Sequence, residues 1–262
     1  MPALDLSREL TVAAAAARAA GEIQMGLYER LDGVDFKGEK DVVTEADHRS
    51  EAAILERLAA AFPDDAFLAE ESGGSFEGAE RLWVIDPLDG TVNYANGIPF
   101  FCVSIGLCIE SEPVLGVVFD PTRDELFSAV RGGGAYLDDT RIRQPADKRM
   151  GDHVVSLGLP SSGFGRQYRE IRQRVRITRA MGSATLSLTY CANGRFDAYV
   201  QWTKLSVWDI CAAGVIALEG GATVTSALGN DWFGIGMPSK SIGIAAAAPE
   251  HHGTILELLA DG

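Results

Sequence analysis

Two sheets sandwiched between helix pairs, an α+β N-terminal half followed by an α/β C-terminal half, is the architecture this sequence predicts. Three observations lead there. Residues 6–62 carry two helical patterns around a polar stretch. Residues 101–136 change to long alternating segments separated by tight turns, the texture of an antiparallel meander. Beyond Met150, strand-like and helix-like segments alternate, as in α/β packing. At 262 residues the chain can bury a large core, as one big domain or as two intimately packed halves, divided as 1–150 and 151–262. No internal repeat or low-complexity linker is visible, so a tight interface between the halves is expected.

The elements follow in order. Residues 6–31 predict one long helix, with Leu10, Ala14, Ala17 and Gly21 on a narrow face that permits close packing. The polar residues 32–40 predict a loop. A turn at 41–47 leads into a helix over 48–62 with Ile54, Leu55 and Leu58 facing inward, ended by Pro63. Residues 66–69 form a short strand that runs into Glu70-Glu71-Ser72. Trp83-Val84-Ile85 form another, and Asp86-Pro87 starts a turn, because proline presets the backbone angle a turn needs. Meander strands are expected at 101–110, 114–119 and 125–130, with turns at 111–113 and 120–123 and a closing run at 132–136. In the second half, strands at 154–157, 176–179, 198–201 and 242–247 alternate with helices at 166–174, 183–192, 207–218 and 249–259.

Composition narrows the function classes. A hydrophobic fraction of 47% is that of a globular protein with an ample core. The formal net charge of −14 argues against a nucleic-acid backbone or an anionic membrane as partner. It also opposes an anionic substrate, a conflict that bound cations would solve locally. Cys102, Cys108, Cys191 and Cys211 have no ligand-like spacing and sit in apolar surroundings, so buried reduced thiols are expected. Asp5, Glu9 and Arg18 interrupt the N-terminal stretch, so a signal peptide is not expected there. Residues 91–109 are uncharged, but Asn93, Asn96, Gly97 and Pro99 speak against a membrane span. A cytoplasmic location is the expectation.

The run Trp83-Val84-Ile85-Asp86-Pro87-Leu88-Asp89-Gly90-Thr91-Val92-Asn93 sets two carboxylates three residues apart directly after an apolar strand. Gly90 and Thr91 open a helix or tight loop whose N–H groups suit a phosphate dianion, and the aspartates suit hard cations with oxygen ligands. Two carboxylates about 4 Å apart repel by roughly 4 kcal/mol at an effective dielectric of about 20, and a divalent cation between them turns repulsion into attraction. The same run is also ordinary turn chemistry with Asp89 as a helix N-cap, and taken alone it leaves the two readings level. Haloacid-dehalogenase-type phosphatases carry Asp-x-Asp-Gly-Thr after a buried strand, with the first aspartate as nucleophile. Here that position is Pro87, which cannot attack, so a covalent phospho-enzyme is disfavoured. Three further segments carry carboxylates where elements end: Glu70-Glu71 after a strand, Asp47 at a helix start, and Asp209 at the start of another. Each alone has a structural explanation, Asp47 and Asp209 as N-caps and Glu70 as a solvated loop residue. Four such segments in one chain are harder to dismiss.

With these pieces in hand, the chain closely resembles the inositol monophosphatase superfamily of magnesium-dependent, lithium-sensitive phosphatases. The matching pieces are Lys37 with Asp41-Val42-Val43-Thr44-Glu45-Ala46-Asp47, then Ala69-Glu70-Glu71-Ser72, then Asp86-Pro87-Leu88-Asp89-Gly90-Thr91-Val92-Asn93, and last Trp208-Asp209-Ile210-Cys211-Ala212-Ala213-Gly214 followed by Glu219-Gly220-Gly221. Glu125-Leu126-Phe127, Gly132-Gly133-Gly134-Ala135 and Met181-Gly182-Ser183-Ala184 resemble lesser signatures, and the order is kept along almost the whole chain. The resemblance implies a layered αβαβα sandwich of the inositol monophosphatase and sugar phosphatase type. It implies that Glu70, Asp86 and the Leu88 carbonyl hold one Mg2+, that Asp86, Asp89 and Asp209 hold a second, and that Glu70 with waters holds a weaker third. It implies a phosphate cradle at the Gly90 and Thr91 N–H groups, and Asp47 hydrogen-bonded to Thr91 to orient and deprotonate an activated water for in-line attack. Asp47, Thr91 and Glu70 are thereby the catalytic candidates. Gly90, Thr91, Ser183, Gln201, Lys204 and Asp209 are the substrate-binding candidates. A homodimer is implied as well.

Inositol-selective relatives carry a glutamate several residues before Trp-Asp. Here Val200-Gln201-Trp202-Thr203-Lys204-Leu205-Ser206-Val207 is one residue longer and has no glutamate. Gln201 could still bond hydroxyls, and Lys204 could meet a second anionic group or lie solvated. His251 and His252, adjacent near the last helix, are expected at the surface. The six arginines from Arg166 to Arg179 are expected on a solvated or contact face, and Trp202 and Trp232 could line a pocket or simply pack. The expected activity is magnesium-dependent hydrolysis of a small phosphate monoester, with myo-inositol 1-phosphate leading. Fructose 1,6-bisphosphate, histidinol phosphate and 3′-phosphoadenosine 5′-phosphate are the alternatives. A non-catalytic sugar-phosphate sensor is a distant one, since a sensor has no use for a water-activating pair.

Overall fold

The computed structural model describes residues 5–30, 35–38, 41–74, 77–146, 148–158 and 165–260. Helix α1 (Ser7–Leu27) turns Ala13, Ala16, Ala17, Ala20 and Gly21 inward, while Leu10 and Ala14 lie at its half-buried edge. Its small residues allow close docking: a Cβ on Gly21 would stand 2.4 Å from the Phe119 ring. The loop expected at 32–40 is in part a strand, β1 (Asp35–Gly38), paired antiparallel with β2 (Asp41–Val43). The side chain of Lys37 lies outside the described residues. Helix α2 (Glu45–Ala61) starts earlier than expected, because Thr44 takes the N-cap and Asp47 reaches back to it in a capping box.

Strands β3 (Ala66–Ala69), β4 (Arg81–Asp89), β5 (Cys102–Ile109), β6 (Glu112–Asp120), β7 (Glu125–Val130), β8 (Gly134–Leu137) and β9 (Thr140–Ile142) form a seven-stranded sheet in that spatial order. Only β3 and β4 run parallel; each later pair is antiparallel, as the meander required. Two turns differ from expectation. Asp86-Pro87 does not end the strand: β4 continues to Asp89, and a register shift between Asp86 and Asp89 absorbs the proline. The β5–β6 turn is made by Glu110 and Ser111, both left-handed (φ 51° and 68°), so Pro113 falls inside β6 at another register shift. The short helix α3 (Thr91–Ala95) connects β4 to β5.

The second half supplies β10 (Val154–Leu157), α4 (Gly165–Arg174), β11 (Ile177–Arg179), α5 (Ala184–Thr189), β12 (Ala198–Leu205), α6 (Val207–Glu219), β13 (Thr223–Ser226), β14 (Ile242–Ala247) and α7 (Pro249–Ala260). Its sheet is ordered β11-β10-β12-β14-β13. The two β10 pairs are parallel and the two β14 pairs antiparallel, so the sheet is mixed. Strand β13 is an addition to the sequence reading.

Side-chain alternation explains the layering. On β4, Trp83 and Ile85 face α1 and α2, joining Ile54 and Leu58; Leu82 and Val84 face the opposite way, into a core shared with α5 and α6. Each fully buried aliphatic of this kind contributes about 1.5–3 kcal/mol. Helices α5 and α6 fill the space between the sheets, with Leu186, Leu188, Ile210 and Val215 meeting Tyr199, Val224 and Ile244. On the outer face of the smaller sheet, Ile171 of α4 and Ile255, Leu258 and Leu259 of α7 cover Val155, Val200 and Ala245. The result is an αβαβα stack. The four cysteines are buried free thiols, and among the described residues no helix is long and apolar enough to cross a membrane.

Helix α6 lies unusually close to the larger sheet. Gly106 and Gly116 are cross-strand partners, and a Cβ on Gly116 would stand 2.3 Å from the Ala212 carbonyl oxygen, one on Gly106 2.5 Å from the Cys211 sulfur. The two glycines form a slot that receives the first turns of α6. Gly116→Ala should therefore destabilise the protein by about 1–3 kcal/mol, since the obstacle is backbone and cannot rotate away. Denaturant unfolding measures this, and a loss below about 0.5 kcal/mol would contradict the close approach.

Candidate active site

The site forms where β4, α6 and the loop before α5 meet. Asp86 is buried on β4, and its Oδ1 accepts the Leu88 N–H at 3.0 Å. The intervening Pro87 carbonyl accepts the buried Gln24 amide of α1 at 2.7 Å, so the bulge is held from both sides. Three residues after Asp86, Asp89 accepts the Ser183 hydroxyl at 2.5 Å and the Thr185 N–H at 2.7 Å. Gly90 then turns the chain with φ 98°, and a Cβ there would meet the Phe100 carbonyl oxygen at 3.0 Å. Asp209, in the first turn of α6, accepts the Ser206 N–H at 2.6 Å. It is thus a capping-box acid rather than the N-cap, as Asp47 is in α2. Thr185 links this end of α6 to α5, its hydroxyl donating to the Asp209 carbonyl at 2.9 Å.

One oxygen each of Asp86, Asp89 and Asp209 lies within 4.8 Å of the other two. Asp86 is buried, while Asp89 and Asp209 keep part of their surface open to a cleft. Burial pushes the Asp86 carboxyl well above the usual range, and the charges of Glu70, Asp89 and Asp209 push it further. Asp209 is raised well above its ordinary value by burial and then by Asp89, with the Ser206 N–H opposing. Asp89 is raised by burial, against the hydrogen bonds from Ser183 and Thr185. Hard oxygen donors that repel one another at this spacing fit a magnesium-like cation, which would replace the repulsion with attraction.

The other candidates fall as follows. Glu70 stands at the end of β3, its N–H bonded to the Ile85 carbonyl at 3.1 Å, and its charge acts on Asp86 and Asp209, although it is outside the close trio. Thr91 Oγ1 lies 3.1 Å from Asp47 Oδ1 and 3.0 Å from the Leu88 carbonyl. Asp47 is buried, and its other oxygen accepts both the N–H and the hydroxyl of Thr44. Burial raises the Asp47 pKa against those bonds. Ser183 is buried, capping α5 through Leu186 N–H while donating to Asp89. An open cleft of about 510 Å3 has Asp89, Asp209, Ser183, Gln201 and Lys204 in its walls. The Gln201 amide is oriented by the Tyr199 hydroxyl (2.6 Å) and the Thr203 carbonyl (3.0 Å). Lys204 is exposed and left-handed (φ 75°), where β12 loses register.

Several candidates lie elsewhere. His252 is buried rather than at the surface, its ring 3.1 Å from the Thr225 hydroxyl, and His251 bonds the Lys148 carbonyl at 2.6 Å. Trp202 and Trp232 line a separate groove that contains none of the carboxylates. Arg176 of the basic segment pairs with Asp152. Residues the sequence reading missed include Gln24, Glu51 and Ser156; Ser156 is buried in the cleft wall, its hydroxyl without a partner among the described residues.

Residues 5–261 match the model of the Inositol monophosphatase family. The chain belongs to the inositol monophosphatase family. The protein is 42% identical over 206 residues to an inositol-1-monophosphatase of Rhizobium meliloti, covering 75% of this chain and 76% of that one. It is 36% identical over 232 residues to a fructose-1,6-bisphosphatase/inositol-1-monophosphatase of Thermotoga maritima, covering 88% and 87%. Among solved structures it is similar to the extragenic suppressor protein SuhB of Bartonella henselae, with TM-score 0.88, 34% identity and coverage of 97% and 99%. This inositol monophosphatase family member is a phosphoric monoester hydrolase with the layered fold of its relatives.

The raised carboxyls give the cluster a pH signature. Their folded pKa values lie above the unfolded ones, so the metal-free folded state binds more protons, and the cluster's contribution to stability improves as pH falls from neutral towards those values. A divalent cation needs the deprotonated cluster and opposes this trend. Thermal unfolding with and without Mg2+ should show a stabilisation by Mg2+ that is largest near neutral pH and shrinks on acidification. A Mg2+ effect that grows on acidification would contradict the assignment.

Proposed function

We propose that the protein catalyses magnesium-dependent hydrolysis of a small phosphate monoester, by direct in-line attack of water without a covalent intermediate. The observation that carries this reading is the Asp86–Asp89–Asp209 cluster within 4.8 Å, beside the Asp47–Thr91 pair. Glu70, Asp86, Asp89, Asp209 and the Leu88 carbonyl would hold the cations, two to three at a time. Bound there, Mg2+ supplies a lowered water pKa and neutralises charge on the phosphoryl and departing oxygens. The chain's own residues do the rest. Thr91 and Asp47 orient the attacking water, the proton passing to Thr91 Oγ1 as the Thr91 proton moves to Asp47 Oδ1. Its raised pKa suits Asp47 to that acceptance. The N–H groups of Gly90 and Thr91 hold the phosphate, and Ser183 keeps Asp89 aimed.

Substrate enters by the cleft. myo-Inositol 1-phosphate is the leading substrate, with the Gln201 amide and Lys204 meeting its hydroxyl-bearing end. Lithium inhibition, a cytoplasmic location, a homodimer and a division into halves at residues 150 and 151 belong to the same reading. Phosphate release from myo-inositol 1-phosphate with Mg2+ tests it. Asp89→Asn should lower both turnover and Mg2+ affinity on the order of a hundredfold, and full activity in that variant would rule the assignment out.

A second reading of the substrate rests on Lys204, which has no acidic partner within ion-pair reach among the described residues and stands in the cleft wall. A bisphosphate such as fructose 1,6-bisphosphate would give it one. Lys204→Met should then reduce kcat/KM for the bisphosphate about ten- to a hundredfold more than for myo-inositol 1-phosphate, the worth of a charge-assisted hydrogen bond of about 1.5–3 kcal/mol. Equal losses for both esters would leave the monophosphate reading alone.

A further inference from the structure

Helix α2 carries a second buried carboxylate one turn beyond Asp47. Glu51 is 4% exposed; its Oε2 accepts the Glu71 N–H and its Oε1 the Ser72 N–H, both at 2.9 Å. These two amides follow directly on Glu70. The segment is otherwise a tight loop, closed by reciprocal bonds between Ala69 and Gly73 at 2.9 Å, with the Glu70 N–H tied to β4 through the Ile85 carbonyl. Glu70 is therefore fixed from the sheet on one side and from α2 on the other. Residues four apart share a helix face, so the same face of α2 holds Thr91 through Asp47 and the Glu70 loop through Glu51.

We propose that Glu51 is a positioning residue for the metal site, setting Glu70 against the three aspartates and thereby the affinity for the divalent cation. This rests on the reading of that cluster as a cation site. Two adjacent N–H donors need two acceptors, which a carboxylate offers and an amide does not: a glutamine would turn its NH2 group towards one of them. Aspartate keeps the charge but lacks the reach to bridge both.

Calorimetric titration of the full chain with Mg2+ or Mn2+, without substrate, tests this. Glu51→Gln should weaken cation binding about tenfold or more, the range expected when a group behind a ligand is removed, and raise the Mg2+ concentration for half-maximal phosphate release by the same factor. Glu51→Asp should lose affinity similarly. A variant whose thermal midpoint falls while its cation affinity stays within about twofold of the wild type has lost only a structural contact, which overturns the proposal. Amide exchange in the wild type gives a readout free of folding defects: protection at Glu71 and Ser72 should rise when Mg2+ is added, and unchanged exchange overturns the proposal too. Asp89→Asn, titrated in parallel, separates the two claims. Undiminished cation binding in Asp89→Asn defeats the reading of the cluster itself; lost binding there with wild-type affinity in both Glu51 variants defeats only the role of Glu51.

Discussion

Three like charges gathered under cover are the constraint around which this fold is arranged. Asp86, Asp89 and Asp209 would separate if they were free to, since burial and mutual repulsion both oppose their ionised forms. They stay because each is held by a donor close to it in the chain or on an adjoining loop: Leu88 N–H for Asp86, the Ser183 hydroxyl and Thr185 N–H for Asp89, Ser206 N–H for Asp209. Two of the site's acids, Asp47 and Asp209, use the same device. A capping box that would stabilise any helix start aims the third residue's carboxylate, and the helix that follows makes the aim rigid. On the proposed reading, the structural and functional explanations of these residues, which compete in the sequence, coincide, because the capping box is what aims the carboxylate.

The cluster also depends on how closely the two sheets are bridged. Asp86 and Asp89 come from the larger sheet, Asp209 from the helix that directly follows β12 of the smaller one. The distance between them is set by the Gly106–Gly116 slot, where the Ala212 backbone lies against Gly116 and the Cys211 sulfur against Gly106. A single core runs through this contact, joining Val84 and Val118 to Ile210, Ile216 and Ile244. Cleft walls are mixed in the same way, with Asp89 from one sheet facing Gln201 and Lys204 from the other. The site is a property of the seam.

Much of this was legible beforehand, and the exceptions have physical causes. Strands 66–69, 125–130, 154–157 and 242–247 are read correctly because apolar or β-branched runs between turn residues leave little choice. The end of β4 is misread because Asp-Pro is a genuine turn signal, overridden here by pairing with β5 on both sides of a bulge. Strands β1, β9 and β13 are short and polar, and their existence rests on partners distant in sequence or on a hairpin contact rather than on their own pattern. Each acidic metal-ligand candidate is visible in the sequence as a carboxylate at an expected element end, and the Leu88 carbonyl enters only through the resemblance. Glu51 and Gln24 are not, because a polar residue inside a helical pattern looks solvated until the fold shows what it touches. A partial signal was available for Asp47 and Asp209, as Thr44-x-x-Asp and Ser206-x-x-Asp are capping-box spacings.

The acidity of the chain acquires a meaning on the proposed reading. Net charge of −14 and a cluster of carboxylates make the cation-free cleft hostile to a phosphate ester, and Lys204 alone does not reverse that field. The local sign of the site is then set by what the aspartates bind rather than by the protein. Cation and ester must favour each other, since each relieves the repulsion the other would meet, and linkage makes the two enhancements equal in free energy. A basic pocket would bind phosphate without a cation and hold the product as firmly as the substrate. An acidic pocket ties ester binding to the same ions that activate water, so the ester is held where it can react.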